Sequence, residues 1–208
     1  MRIDRLAAPE LAEFWSLRED VTVDFGERTV LRTPWGELAA DRPGPHLREA
    51  LRRMLLGPVS LGNVVPGFPG FDVPEDRWND ASRELLAALA QLQHVVARHL
   101  TVGAAPLLSV VPLTRHARFR PAAAAPGRGA RLRDDVLLRP SGPDQVLLSE
   151  NSHHRVELHG PDADQLLAHL RSGHDAPAVP GTTPLPPAAV RAARSFADAA
   201  GMLAPGGV

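Results

Sequence analysis

Stretches where apolar and polar residues alternate, each followed by runs with helical spacing, give this chain its outline. Residues 20–25 alternate cleanly, with Val21, Val23 and Phe25 between Asp20, Thr22 and Asp24, and this predicts a half-buried strand. Gly26-Glu27 turns the chain, residues 29–32 predict its partner, and residues 35–40 a third strand. Gly44-Pro45 then opens a helix, because a first-turn proline forfeits only an N–H that has no helical partner. Leu47, Leu51, Met54 and Leu55 form its stripe, and Gly57 ends it. A second small helix is expected over 59–65. A long third helix is expected over 81–100, with Leu85, Leu89, Leu92 and Val96 inward, and a buried strand over 106–112.

The same phrase then returns. Leu17-Arg18-Glu19-Asp20-Val21 recurs as Leu132-Arg133-Asp134-Asp135-Val136. Gly26, Val30 and Leu31 are matched by Gly142, Val146 and Leu147, Gly44-Pro45 by Gly160-Pro161, and Gly57 by Gly173. Matches that keep order and offset mark an internal repeat. In the second copy, residues 136–138, 146–148 and 155–158 predict three strands. Residues 162–171 predict a helix carrying Leu166, Leu167 and Leu170, with Asp162 at its positive end. Residues 174–187, rich in Pro, Gly and Thr, predict a loose connection. Residues 187–200 predict a closing helix with Val190, Ala193, Phe196 and Ala200 on one face.

The expected fold is therefore α+β: two tandem winged-helix-like domains, each a small three-stranded antiparallel sheet with about three helices. Residues 1–114 form the first and 131–208 the second. The intervening 115–130 is rich in Arg, Ala and Pro without an acid and predicts a linker.

Composition narrows the function classes. Without cysteine there is no disulfide framework, thiolate metal site or cysteine nucleophile. All 23 basic residues are Arg, and the net charge of −1 argues against a general polyanion binder. Residues 1–5 lack the apolar run of a signal peptide and no stretch approaches a membrane span, so the expected location is the cytoplasm, with no membrane partner. No P-loop is possible without Lys, and neither G-x-S-x-G, H-E-x-x-H nor a strand-borne G-x-G-x-x-G occurs. The expectation is a chain that is not an enzyme on its own.

Four features carry candidate chemistry. His153 and His159 share a face of one strand, where Glu150 or Glu157 would complete a metal site; solvent-facing strand and loop histidines are the commoner outcome, and no metal is expected. Arg115, Arg118, Arg120, Arg128, Arg131 and Arg133 would contact phosphates or an acidic peptide, or simply solvate a linker. Trp15, Trp35 and Trp78, all in the first copy, are candidate partner-interface anchors or core residues. Finally, the third strand of a winged helix presents unpaired backbone groups beside a helix, where an extended peptide can add a strand. In the second copy that groove would be lined by His154, Arg155, Val156, Glu157 and Leu158 on the strand. Val190, Arg191, Arg194, Ser195 and Asp198 would line it on the closing helix.

Two segments bear a family resemblance. Leu132-Arg133-Asp134-Asp135-Val136-Leu137-Leu138-Arg139-Pro140, the strand pair that follows, the Asp162 helix and Phe196-Ala197-Asp198-Ala199-Ala200-Gly201-Met202-Leu203 together resemble the RiPP recognition element. That winged-helix domain binds leader peptides of ribosomally made, modified peptides. Trp35-Gly36-Glu37-Leu38, Arg48-Glu49-Ala50-Leu51-Arg52-Arg53-Met54, Leu56-Gly57-Pro58-Val59-Ser60-Leu61 and Pro106-Leu107-Leu108-Ser109-Val110-Val111-Pro112-Leu113 resemble the N-terminal region of SagB-type azoline dehydrogenases. Those enzymes use FMN to oxidise azolines to azoles. Their flavin domain follows this region and has no counterpart in residues 1–208, so no catalytic residue is carried over; the chain is either a subunit whose partner flavoprotein carries the FMN or a fragment. The resemblance implies a non-catalytic subunit of azole-peptide biosynthesis that binds a precursor leader peptide, scaffolds an FMN-dependent dehydrogenase or other modifying enzyme, or does both. A homodimer stays open. The alternatives are a winged-helix DNA-binding regulator, disfavoured by weakly basic helices, and a subunit that completes an FMN site at an interface.

Overall fold

The structure, a computed structural model, describes residues 10–40, 43–70, 73, 75–122, 129–173 and 183–205. It is α+β, with a six-stranded antiparallel sheet, a three-stranded sheet, a two-stranded ladder and four α-helices among the described residues. In chain order come β1 (Leu11–Leu17), β2 (Thr22–Phe25), β3 (Thr29–Thr33), β4 (Gly36–Ala40), α1 (Pro45–Met54), α2 (Asp80–Ala90), β5 (Val96–Val102) and β6 (Ala105–Pro112). The second half holds β7 (Arg131–Leu132), β8 (Leu137–Ser141), β9 (Asp144–Leu148), β10 (His154–Leu158), α3 (Ala163–Ser172), α4 (Pro187–Ala199) and β11 (Leu203–Ala204).

The element order runs twice: a leading strand, three antiparallel strands, two helices and a closing strand. In each run the leading and closing strands pair antiparallel, Leu17 opposite Val96 in β1–β5 and Leu132 opposite Leu203 in β7–β11. The three strands of the first run, β2-β3-β4, form their own sheet. Those of the second join a larger one of order β1-β5-β6-β10-β9-β8.

Two hydrophobic cores follow. The first gathers Trp15, Leu17, Leu31, Leu51, Met54, Leu85 and Leu89; the second gathers Leu108, Val156, Leu158, Leu166, Leu170 and Phe196. Strand β6 and Phe119 precede or interrupt the linker proposed for 115–130, yet Leu107, Leu108, Val110 and Phe119 pack in the second core. Ala117 and Ala130 are buried as well, while Arg115, Arg118 and Arg120 are exposed; residues 123–128, Arg128 among them, lie outside the described residues. So does most of the connection read over 174–187.

The long helix expected over 81–100 is half helix and half strand. The Asn79 side chain accepts from the Ser82 N–H at 2.8 Å and starts α2, which ends at Ala90. Residues 91–95 turn, and Val96–Val102 becomes β5. Helical spacing through Val96 is coincidental: β5 has strand partners on both sides, β1 and β6, which satisfy its backbone groups. Strand β1 is poorly announced by alternation because Leu11, Phe14, Trp15 and Leu17 place apolar side chains on both faces. The small helix expected over 59–65 is only a 3-10 turn, Leu61–Asn63.

Gly173 shows how tightly the second half closes. Its φ of 69° is left-handed, and a Cβ there would stand 2.9 Å from the Gly129 carbonyl oxygen. No helix among the described residues is long and apolar enough to cross a membrane.

Leu158→Ala, which empties a fully buried site, is expected to lower stability by about 2–5 kcal/mol. Leu56→Ala, at a position 83% exposed, is expected to change it by about 0.5 kcal/mol or less. Urea unfolding midpoints at constant slope check both.

Candidate functional site

Helix α2 is the wall shared by two openings. At about 100° per residue, Ser82, Leu85 and Leu89 point into the first core, where they are buried. One flank then carries Arg83, Leu86, Ala87 and Ala90, and the other Ala81, Glu84 and Ala88.

The first flank faces a cleft of about 570 Å³. Trp15, Phe68, Trp78 and Phe119 give it aromatic walls, and Glu13 and Arg98 lie in its lining. The Trp78 indole N–H donates to the Val73 carbonyl at 2.9 Å, holding the ring in place. Phe119 is held by its own N–H, which donates to Gln93 Oε1 at 2.9 Å. The cleft therefore lies along the seam of the two cores, with Trp15 from the first and Phe119 from the second.

Arg98 is the unusual group. Its guanidinium sits 3.7 Å from the Trp15 ring centroid, 5.2 Å from Phe119 and 5.7 Å from Phe196, and it is ion-paired with Glu13. Burial pushes the Arg98 pKa down and the Glu13 carboxylate opposes that shift. Arg83 and Arg120 also line the opening, Arg83 paired with Asp80 at 2.8 Å. Such a cleft suits an apolar or aromatic side chain with a negative charge beside it.

On the other flank lies β4, the edge strand of its sheet, paired only with β3 among the described residues. Trp35, at its start, meets His94 just past α2, with ring centroids 6.0 Å apart. A Cβ on Gly44, just beyond its end, would stand 3.0 Å from the Glu84 carboxylate in the first half of α2. The residues on either side of the strand thus approach α2 and the turn that follows it. The hairpin loop Pro34-Trp35 makes Thr33 and Gly36 the bonded pair, so Glu37 and Ala39 aim their N–H and C=O groups away from β3.

The groove expected in the second copy is closed. Its strand, β10, pairs with β9 on one side and with β6 on the other, and α4 packs against β6. His154, Val156 and Leu158 point into the core, and Arg155 and Glu157 pair with each other at 2.7 Å on the opposite face. On α4, Val190, Arg194 and Ser195 are buried, while Arg191 and Asp198 are exposed. The Arg194 guanidinium donates to the carbonyls of Ala130, His169 and Gly173, and the Ser195 hydroxyl to that of Ala122. A neighbouring strand supplied from far along the sequence fills the groove, which local pattern could not show.

Trp15 belongs to the first core, Trp35 packs against it, and Trp15 and Trp78 line the cleft. The clustered histidines diverge: His153 meets Thr114 at 3.0 Å, His154 stacks edge-on against Phe119, and His159 meets Asp144 and Ser109. Among the described residues no three His, Asp or Glu side chains are placed to hold a metal ion. Arg98, Glu13 and Gln93 carry no local signature, since their importance comes from burial on facing strands.

Arg98→Ala, which removes the buried ion-pair partner of Glu13, is expected to destabilise the fold by about 3–5 kcal/mol. Replacing both by Leu is expected to recover much of that loss, and a double-mutant cycle of unfolding free energies checks it. Burial, reinforced by His153, holds His154 at a pKa of about 4, and burial with His159 does the same for His99. Unfolded histidines titrate near ~6.5, so the unfolded chain binds more protons in between. Their stabilising share is thus complete above pH ~6.5 and is lost as pH falls toward 4. His154→Phe is expected to flatten that slope, measured by denaturation across this range.

Compared with protein-family models and with curated proteins, the chain matches none.

Proposed function

We propose that this protein is a peptide-binding subunit of tandem winged-helix-like build, holding the leader segment of a ribosomally made precursor for a separate modifying enzyme. The observation that carries the reading is the edge of β4, unpaired among the described residues, with its flanking Trp35 and Gly44 near α2. An extended peptide added there gains backbone bonds from Glu37 and Ala39. Its alternate side chains meet the flank of α2 that bears Ala81, Glu84 and Ala88. The sequence resemblance to RiPP recognition elements and to the leading region of azoline dehydrogenases supplies the chemical setting. Binding would raise the concentration of the precursor near a cytoplasmic flavoprotein, which brings its own FMN. No residue of this chain is assigned to the flavin. The cleft on the other side of α2, with its aromatic walls and Arg120, is the surface for apolar and acidic side chains of the partner or of the peptide's continuation.

Ala39→Pro removes one outward N–H and leaves the β3–β4 ladder intact. It is expected to weaken binding of a fluorescently labelled precursor peptide by about fivefold to tenfold, with the unfolding midpoint kept. Arg191→Ala is expected to bind as the parent does. Anisotropy titration reads both. Equal binding by the proline variant would remove β4 as the site, and salt-sensitive binding to random duplex DNA without peptide binding would replace the reading with a DNA-binding one.

A further inference from the structure

A line of hydrogen bonds crosses the sheet face opposite the cleft. Ser16 Oγ lies 2.9 Å from His99 Nε2, and His99 Nδ1 lies 2.7 Å from Ser109 Oγ. Ser109 Oγ lies 2.7 Å from His159 Nε2, and His159 Nδ1 lies 3.0 Å from Asp144 Oδ2. The other Asp144 oxygen accepts the Gly160 N–H at 2.9 Å. That N–H first, and His159 second, hold the Asp144 carboxyl below its ordinary range, so it is ionised and can only accept.

With both histidines in the neutral form, the line has one consistent arrangement of protons. Asp144 requires a proton on His159 Nδ1, leaving Nε2 to accept from the Ser109 hydroxyl. Ser109 then accepts from His99 Nδ1–H, and His99 Nε2 accepts from the Ser16 hydroxyl. Ser109 is buried, but Ser16 and His99 line a pocket of about 210 Å³ together with Arg18, Asp20, Arg155 and Glu157. Arg18 stands two residues from Ser16, just past the end of β1. It is anchored by both Asp20 oxygens and by the Pro112 carbonyl. A nucleophile beside a base, a third group orienting that base and a cation in the same pocket make up the constellation of acyl-transfer sites.

We propose that Ser16 is a nucleophile and His99 its base, hydrolysing short acyl esters in this pocket. Ser16 Oγ attacks the ester carbonyl carbon and its proton passes to His99 Nε2, while Arg18 faces the negative charge that develops on the carbonyl oxygen. His99 is desolvated and a poor place for positive charge. The line relieves it: Nδ1 gives its proton to Ser109, whose own proton moves to His159, leaving the cation beside the Asp144 carboxylate. The tetrahedral adduct collapses, the C–O bond to the alcohol breaks, and the departing alkoxide takes the proton back through His99. Water then attacks the acyl–Ser16 carbonyl by the same route, releasing the carboxylic acid and restoring Ser16. Ester and water become acid and alcohol, with no other reactant. Ser109, His159 and Asp144 are positioning residues.

The test treats the full chain with a fluorophosphonate probe and with p-nitrophenyl acetate. A covalent adduct on the peptide containing Ser16 is expected, with ester turnover lost in Ser16→Ala and reduced about 10²-fold or more in His99→Ala. Circular dichroism and unfolding midpoints confirm that the variants are folded. Asp144→Asn is expected to slow turnover and to move the acid limb of the pH–rate profile down by about one unit, because the charge on His159 loses its partner. Arg18–Asp20, Arg155–Glu157 and Glu19, the other charged groups at the pocket, are unchanged in that variant. Adduct mapped elsewhere, turnover equal in Ser16→Ala, or no adduct on the folded parent would overturn the assignment. A parental rate and profile in Asp144→Asn would overturn the relay. None of these readouts depends on peptide binding at β4.

Discussion

A charge with almost no water around it joins the two halves of this molecule. Arg98 comes from β5, the closing strand of the first run of elements, yet its guanidinium touches Trp15 of the first core and Phe119 and Phe196 of the second. Removing a guanidinium from water is costly, and three aromatic faces and one carboxylate offset that cost only if all four stay in place. The position of β1, which brings Glu13 and Trp15, is therefore coupled to that of α4, which brings Phe196. The cleft lining follows from the same constraint.

Much of the local structure was readable from residue order. Alternation located β2, β3, β8, β9 and β10 to within a few residues, and the Gly-Pro pairs at 44–45 and 160–161 located the helices that follow. The repeat was readable because both copies need the same turns at the same offsets. Long-range pairing was not. Residues 96–100 continue a helical stripe by accident and become a strand because β1 and β6 lie beside them, 85 and about 10 residues away in the Glu13–Arg98 and His99–Ser109 contacts. The same kind of distant partner closed the groove expected at β10.

The candidate sites show the same division. Residue types were informative in part: Trp15, Trp78 and Arg120 line the cleft and His159 joins the hydrogen-bonded line, whereas Arg98 and His99 had no pattern to mark them. Their roles were not, because each depends on a neighbour from another strand. His159 was read beside His153 and Glu157, whereas its partners are Asp144 and Ser109, at separations of 15 and 50 residues. Ser16 and Glu13 had nothing to mark them. No linear motif can describe a line of groups drawn from β1, β5, β6, β9 and the turn after β10.

The closed groove in the second half carries one more consequence. Strand β6 lies antiparallel to β10 with α4 against it, which is the arrangement an extended ligand would adopt beside β4 and α2. In the second half the chain itself thus supplies the strand that covers the edge of β10. Its inward residues, Leu108 and Val110, alternate with Ser109 and Val111 on the other face. A tether keeps that segment at high effective concentration, so the edge of β10 stays covered. The second half thus supplies its own strand beside β10, whereas among the described residues the first half leaves the outer edge of β4 unpaired.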